Sequence, residues 1–215
     1  IMVAYLEQQG LSDEDLLTAT AKADRILNEI EAMVAKSSSY VNIAYTPTDL
    51  YRLKAEGKKA IMLGIENGYA IGKDIKNVER FRRRGVVYMT LCHNGNNQLC
   101  GSCRFNDEGL GVNAFGEEVI HEMNRVGMMV DISHAGDQTF YDALAISTKP
   151  IVASHSSSRA LCNHPRNLTD DQMKALARKG GVAQVTLYNG FLKEAGEATI
   201  QDAIAHLNHM VDIMG

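Results

Sequence analysis

The stretch that decides the fold is residues 128–134, MMVDISH, a short apolar run that ends in a residue able to bind metal. Five more apolar runs lie at residues 1–6, 60–65, 86–92, 151–153 and 182–187. Their nearly continuous apolar character is typical of strands buried on both faces of a parallel sheet. The sequence therefore predicts six buried parallel strands.

Helical patterns lie between these strands. Their start signals are two capping-box spacings and one N-cap followed by proline, found at Ser12 with Asp15, at Thr169 with Gln172 and at Thr46-Pro47. The first signal predicts a helix of about 24 residues and the second one of about ten. Further helices are predicted at residues 77–84, 116–126, 138–147 and 199–214, with Gly85 and Gly127 as stops. The chain thus consists of six consecutive strand–helix units.

Six right-handed units can form a doubly wound sheet or part of a (β/α)₈ barrel, and their alternation alone does not decide between the two. The polar residues do decide. Glu66, His93, His134 and His155 follow the last apolar residue of four different strands directly or within two residues. Barrel enzymes place their active sites at such strand ends. We therefore predict an α/β protein with an incomplete (β/α)₈ TIM-type barrel that forms a single domain over residues 1–215.

Three of these residues form a set of metal ligands. Glu66 could bridge two cations, because each carboxylate oxygen can bind one metal of a pair roughly 3.5 to 4 Å apart. His134 and His155 are separated by one helix and one strand, so their imidazoles should be neighbours at the barrel rim. A carboxylate with two histidines leaves one coordination position of zinc open for water.

Two further residues are candidates for contacts with substrate. His93 precedes the loop at residues 94–97, and it could donate a hydrogen bond to a substrate oxygen that becomes anionic during a reaction. It could equally be a packing residue. Arg166 lies on the long loop after the His155 strand, where its planar fork could bind a carboxylate bidentately. A surface arginine fits the composition equally well.

Other polar groups favour a structural interpretation. The serines at 156–158 follow His155, but they lack the G-x-S-x-G elbow and the orienting carboxylate of a serine hydrolase. Cys100 and Cys103 lie in a Gly/Asn-rich loop, which favours free or locally bridged thiols over a redox or zinc pair. His206 and His209 share one helix face, which we expect to be solvated.

Composition excludes two classes of partner. The net charge is −4 and the basic residues are scattered, so no nucleic-acid partner is expected. No apolar stretch reaches the roughly 18 residues of a membrane span, and the N-terminus has no signal-peptide pattern. We expect a soluble protein, either cytoplasmic or exported by a signal outside this segment.

Several motifs together resemble the membrane (renal) dipeptidase family of the amidohydrolase superfamily. They occur in the family's order and spacing at residues 64–68, 90–94, 130–134, 153–157, 166–168 and 188–189. The resemblance covers nearly the whole chain and implies a (β/α)₈ barrel with two zinc ions that hydrolyses dipeptides. It implies that Glu66 bridges the two ions, that His134 and His155 bind one of them, that His93 contacts substrate and that Arg166 binds the carboxylate of the dipeptide.

The sequence also departs from this family. The family's first strand carries a His-x-Asp pair for the other zinc, and its last strand carries an aspartate ligand. Neither occurs in these 215 residues, so the segment should supply the protein ligands of one zinc only and could be inactive alone. Asn67 stands where the family more often has glycine, and Phe191 where relatives can have tyrosine. Six strands should leave two unpaired edges, which favours aggregation or a homodimer.

Two alternatives to a dipeptidase remain open at this point. The chain could be another hydrolase of the same superfamily that acts on a lactam, an N-acyl amino acid or a phosphoester. It could also be a relative that binds small ligands without turnover and keeps the histidines as structural residues.

Overall fold

The computed structural model describes residues 1–215. Its strands are Met2–Tyr5 (β1), Val41–Ile43 (β2), Lys59–Ile61 (β3), Leu63–Glu66 (β4), Val86–Thr90 (β5), Met129–Asp131 (β6), Val152–Ala153 (β7) and Val182–Ala183 (β8). Its α-helices are Asp13–Lys36 (α1), Pro47–Ala55 (α2), Lys76–Arg83 (α3), Ala114–Val126 (α4), Asp137–Ile146 (α5), Asp170–Arg178 (α6), Asn189–Leu192 (α7) and Ile200–Met214 (α8). Short 3₁₀ segments lie at Gly68–Ile71 and Cys103–Glu108. None of these helices combines the length and the apolar character that crossing a membrane requires.

The main sheet has six parallel strands in the order β1-β4-β5-β6-β7-β8. Consecutive strands of this sheet are neighbours and a helix follows each of them, as expected for six consecutive units of a barrel. The predicted α/β fold with six strand–helix units is therefore confirmed. Strands β1 and β8 form the two open edges of the sheet.

One predicted strand proved to be two. The apolar run at 60–65 contains β3, which pairs with β2 in a separate two-stranded sheet, and β4, which belongs to the main sheet. Met62 lies between them. A continuous apolar run cannot reveal this division, because both strands bury apolar side chains. The run at 182–187 was also predicted too long, since β8 pairs only with β7 and its ladder ends at Ala183.

The predicted helix starts are confirmed. Ser12, Thr46 and Thr169 each form a capping box, and α1 has the predicted 24 residues. Gly85 and Gly127 follow the ends of α3 and α4 with φ values of 96° and 73°, where glycine is the residue with least strain. The buried side of α1 repeats every three or four residues, at Leu16, Ala19, Ala23, Leu27, Ile30 and Val34. This side packs in the main core with residues of the sheet.

The expectation of a solvated face at His206 and His209 was wrong. His206 is 1% exposed, its Nδ1 accepts a hydrogen bond from Ser158 N at 3.0 Å, and its Nε2 donates to Leu192 O at 3.1 Å. His209 Nε2 lies 2.7 Å from Asp170 Oδ1. The two imidazoles therefore attach α8 to the loop after β7 and to the start of α6.

A glycine makes room for a large side chain directly below the strand ends. Gly64 pairs with Tyr88 across β4 and β5, and a Cβ at Gly64 would lie 2.3 Å from Tyr88 Cε1. Because side chains two residues apart on a strand share a face, Glu66 lies on the same face as this contact. The Tyr88 ring, 7% exposed, thus fills the space beneath Glu66.

We predict that Gly64→Ala destabilises the protein by about 1 to 3 kcal/mol, because the added methyl overlaps the Tyr88 ring in a close-packed core. Denaturant unfolding measures this change. In a Tyr88→Ala background, where the ring is absent, the same substitution should cost much less. An equal cost in both backgrounds would show that the Tyr88 contact is not the cause.

Candidate metal centre

The structure brings together the four polar residues that follow the strands. Glu66 ends β4, while His93, His134 and His155 follow β5, β6 and β7. Glu66 Oε1 lies 3.7 Å from His93 Nε2, 3.4 Å from His134 Nε2 and 3.3 Å from His155 Nε2. The imidazole of His134 lies between those of His93 and His155, with ring centroids 4.1 and 5.0 Å apart.

Three of the four form a compact donor set. One ligand atom from each of Glu66, His134 and His155 lies within 4.8 Å of the others, and the two Nε2 atoms are 2.9 Å apart. His93 is not a member of this set. His134 reaches its position with φ of 70°, a left-handed conformation that costs energy in a residue other than glycine. Asn67, with φ of 94°, takes such a conformation directly after Glu66.

The protonation states suit metal binding. Burial lowers the pKa of His134 to about 3, so its imidazole is neutral near pH 7. The pKa of Glu66 lies below its usual range despite burial, so its side chain is a carboxylate near pH 7. Metal ligands need the carboxylate and the neutral imidazole.

The orientation of His134 is set from the opposite side of its ring. Its Nδ1 lies 3.1 Å from Asn94 Oδ1, an acceptor, which places the ring proton on Nδ1 and the lone pair on Nε2. That lone pair points toward His155 and Glu66. Two imidazole nitrogens and one carboxylate oxygen match the zinc sites that keep a fourth position open, so the residues present fit this metal.

His93 and Arg166 flank the donor set. His93 packs edge-on against Tyr5 with ring centroids 4.8 Å apart, and burial lowers its pKa. Arg166 is 5% exposed, so it is not the surface arginine that composition allowed. It donates hydrogen bonds to His155 O at 2.9 Å and Ser156 Oγ at 3.5 Å, while its Nε has no partner. Its side-chain hydrogen bonds thus go to neutral groups only, while Asp131 and Glu66 act on its charge without a hydrogen bond.

The cysteines remain thiols. Cys92, Cys100, Cys103 and Cys162 are all buried and free. Of the two predicted alternatives for Cys100 and Cys103, free or locally bridged thiols, the structure shows the free thiols, and burial raises the pKa of Cys103 to about 11. A thiol with such a pKa is a poor nucleophile near neutral pH.

Sequence reasoning missed two residues that contact the proposed ligands and a third that contacts one of these two. Asn94 contacts His134, Ser154 contacts His155, and Asp131 contacts Ser154. The one signal in the sequence was Asp131, an aspartate within an otherwise apolar run, and the structure shows that it is fully buried. Such a residue needs hydrogen-bond partners, but the sequence does not name them.

The chain belongs to the membrane dipeptidase family (peptidase family M19), whose model matches residues 2–215. An uncharacterized dipeptidase of Schizosaccharomyces pombe is 40% identical over 164 residues, which cover 74% of this chain and 39% of that protein. An amidohydrolase structure from Pseudomonas aeruginosa is 30% identical with a TM-score of 0.88, covering 99% of this chain and 62% of that one. A metallo peptidase structure from Rhodobacter sphaeroides, liganded with a phosphinate mimic of dipeptide L-Ala-D-Ala, is 23% identical with a TM-score of 0.88. The match covers 98% of this chain and 60% of that one.

These matches confirm the predicted family and the partial barrel. The chain spans less than two thirds of the length of each of these relatives. The single domain over residues 1–215 and the homodimer stay predictions.

We predict that His134→Ala and His155→Ala each weaken Zn²⁺ binding by more than about 100-fold, since loss of a direct ligand should exceed the effect of losing an outer-shell partner. Competition with a chromophoric chelator measures the affinity. The control is His121→Ala, because His121 lies on α4, paired with Glu117 and away from the site. Equal losses in all three variants would contradict the assignment.

Proposed function

We propose that the protein is a zinc-dependent dipeptidase. The observation that carries this proposal is the convergence of Glu66, His134 and His155 ligand atoms within 4.8 Å at the strand ends. The family assignment supports it, and so does the dipeptide mimic bound to the Rhodobacter sphaeroides relative. His134 and His155 would bind one zinc ion. Glu66 would bridge it to a second, whose remaining ligands this chain does not supply.

Zinc, when bound, supplies the Lewis acidity that makes a water molecule nucleophilic near neutral pH and polarises a carbonyl. The chain's own residues position the substrate for this chemistry. His93 lies beside Glu66 and His134, where its ring N–H can donate to the oxygen that gains negative charge. Because the His93 imidazole is neutral at pH 7, it can donate this hydrogen bond without adding a second positive charge beside the metal.

Arg166 is the proposed binding group for the free carboxylate of the dipeptide. An arginine this buried is costly unless an anion pairs with it, and its hydrogen bonds within the chain go only to neutral groups. A substrate carboxylate would supply the missing negative charge and a partner for the guanidinium fork. Fixing the carboxylate would also fix the distance to the scissile bond, which restricts substrates to short peptides.

We predict that Arg166→Ala lowers kcat/KM for a dipeptide by about 10- to 150-fold, the equivalent of losing a charge-assisted pair of roughly 1.5 to 3 kcal/mol. Steady-state kinetics with the wild type and the variant measure this loss. Zinc content should not change, because Arg166 is not a proposed ligand. Arg166→Lys keeps the charge but loses the fork, so its activity should be intermediate.

A dipeptide amide is the matched substrate for this test, because it lacks the carboxylate. The wild type should hydrolyse it poorly, and Arg166→Ala should reduce that rate little further. If the dipeptide and its amide lose activity equally on mutation, Arg166 supports the loop at 156–168 and does not bind substrate.

A second experiment tests the activity itself. We expect removal of metal with a chelator to abolish hydrolysis of dipeptides by the full-length protein, and added Zn²⁺ to restore it. The same protein should be assayed with N-acyl amino acids and lactams. Faster hydrolysis of N-acyl amino acids or lactams than of dipeptides would contradict the dipeptidase proposal. Binding of these compounds without turnover would show that the protein is not an enzyme for them.

A further inference from the structure

Asp131 is a fully buried carboxylate that the proposed reaction does not use. It ends β6, and each of its oxygens accepts two hydrogen bonds. Oδ1 accepts from the backbone N–H groups of Ser133 at 3.1 Å and Ser154 at 2.9 Å. Oδ2 accepts from the hydroxyls of Thr90 at 2.7 Å and Ser154 at 2.6 Å. Its negative charge therefore rests on neutral donors only, next to the strand ends that carry the site.

The Ser154 hydroxyl joins this carboxylate to a proposed metal ligand. Its Oγ lies 2.6 Å from Asp131 Oδ2 and 2.7 Å from His155 Nδ1. A hydroxyl has one proton to donate, and a carboxylate can only accept. The proton therefore points to Asp131, and His155 must donate its Nδ1–H to Ser154 Oγ. The opposite arrangement would leave Ser154 Oγ and Asp131 Oδ2 as two acceptors 2.6 Å apart.

This chain of donors fixes the tautomer of His155. With the proton on Nδ1, the lone pair lies on Nε2, the atom that faces Glu66 Oε1 at 3.3 Å and His134 Nε2 at 2.9 Å. The other ligand has a different support, because His134 Nδ1 faces the neutral amide of Asn94. The two histidines thus present the same nitrogen to the centre, but only His155 is connected to an anion.

We propose that Asp131 and Ser154 are positioning residues that hold His155 in its metal-binding tautomer and strengthen its Nε2 as a ligand. This inference rests on the proposed metal role of His155. A hydrogen-bonded carboxylate behind a histidine ligand orients the ring and raises its basicity. Here the carboxylate acts through one intervening hydroxyl. Ser133 assists from the side, since its Oγ accepts the backbone N–H of His155 at 3.0 Å.

Asp131→Asn separates this role from a purely structural one. The amide oxygen can still accept the two backbone N–H groups at Oδ1, so the turn after β6 keeps its hydrogen bonds. The amide nitrogen, placed at the Oδ2 position, must donate to Ser154 Oγ. Ser154 would then donate to His155 Nδ1 and drive the ring proton to Nε2, where it blocks metal binding.

The test is Zn²⁺ affinity of the full-length protein, measured by competition with a chromophoric chelator. Ser154→Ala and Asp131→Asn should each weaken binding by about 10- to 100-fold. The double variant should bind Zn²⁺ no more weakly than the single variant with the lower affinity, because both residues act through one path. Ser157→Ala is the matched control: its buried hydroxyl donates to Thr186 O, outside the path, and its affinity should stay within about twofold of wild type.

A second measurement does not depend on zinc. Nitrogen-15 NMR of the metal-free protein should show the His155 proton on Nδ1 in the wild type and on Nε2 in Asp131→Asn. If Ser154→Ala does not fold, Asp131→Asn alone decides by this measurement and by its affinity. Wild-type protein that binds no Zn²⁺ would overturn the proposed function. Wild-type protein that binds Zn²⁺, with unchanged affinity and tautomer in Asp131→Asn, would overturn only the inference about Asp131 and Ser154.

Discussion

The shortest contact among the proposed ligands joins two imidazole nitrogens that cannot form a hydrogen bond with each other, because neither carries a proton. Asn94 and Ser154 place the ring protons of His134 and His155 on Nδ1, so both Nε2 lone pairs face each other across 2.9 Å. Glu66 Oε1 completes the group at 3.4 and 3.3 Å. Three lone-pair donors that face one point are the arrangement that a bound cation requires. The remaining structure has to hold these three atoms in place.

The barrel can hold these atoms in place because each proposed ligand ends or follows a different strand of one hydrogen-bonded sheet. Glu66 ends β4 and His155 follows β7, and β5 and β6 lie between these two strands in the sheet. Below the site, the Tyr88 ring packed over Gly64 blocks a retreat of Glu66 into the interior. The left-handed backbone of His134 is a local cost that the packed sheet sustains, which is typical of functional positions. Fold stability and site geometry are therefore coupled at these residues.

The sequence predicted the parts of this arrangement that depend on pattern alone. Apolar runs located the main strands, capping residues located the helices, and position at a strand end singled out Glu66, His134 and His155. The sequence did not predict the features that depend on which residues are neighbours in three dimensions. The division of residues 60–65 between two sheets depends on which strands pair, and the burial of His206 depends on acceptors and donors distant in sequence. The proposed ligands could be read from residue type and position in the sequence, whereas the groups that orient them could not.

The distribution of charge explains why a free carboxylate would be selected in substrates. Asp131 accepts hydrogen bonds from four neutral donors, and neither Asp131 nor Glu66 is a hydrogen-bond partner of Arg166. Burial lowers the pKa of the Arg166 guanidinium, although it stays protonated as arginine does in proteins, and its Nε lacks a partner. In the proposed function, a substrate carboxylate would pair with this guanidinium, while a ligand without one would leave it without an anionic hydrogen-bond partner. Rejection of the second ligand would then result from the unpaired group and not from a steric clash, and a site built to pair a polar group discriminates strongly against ligands that lack its partner.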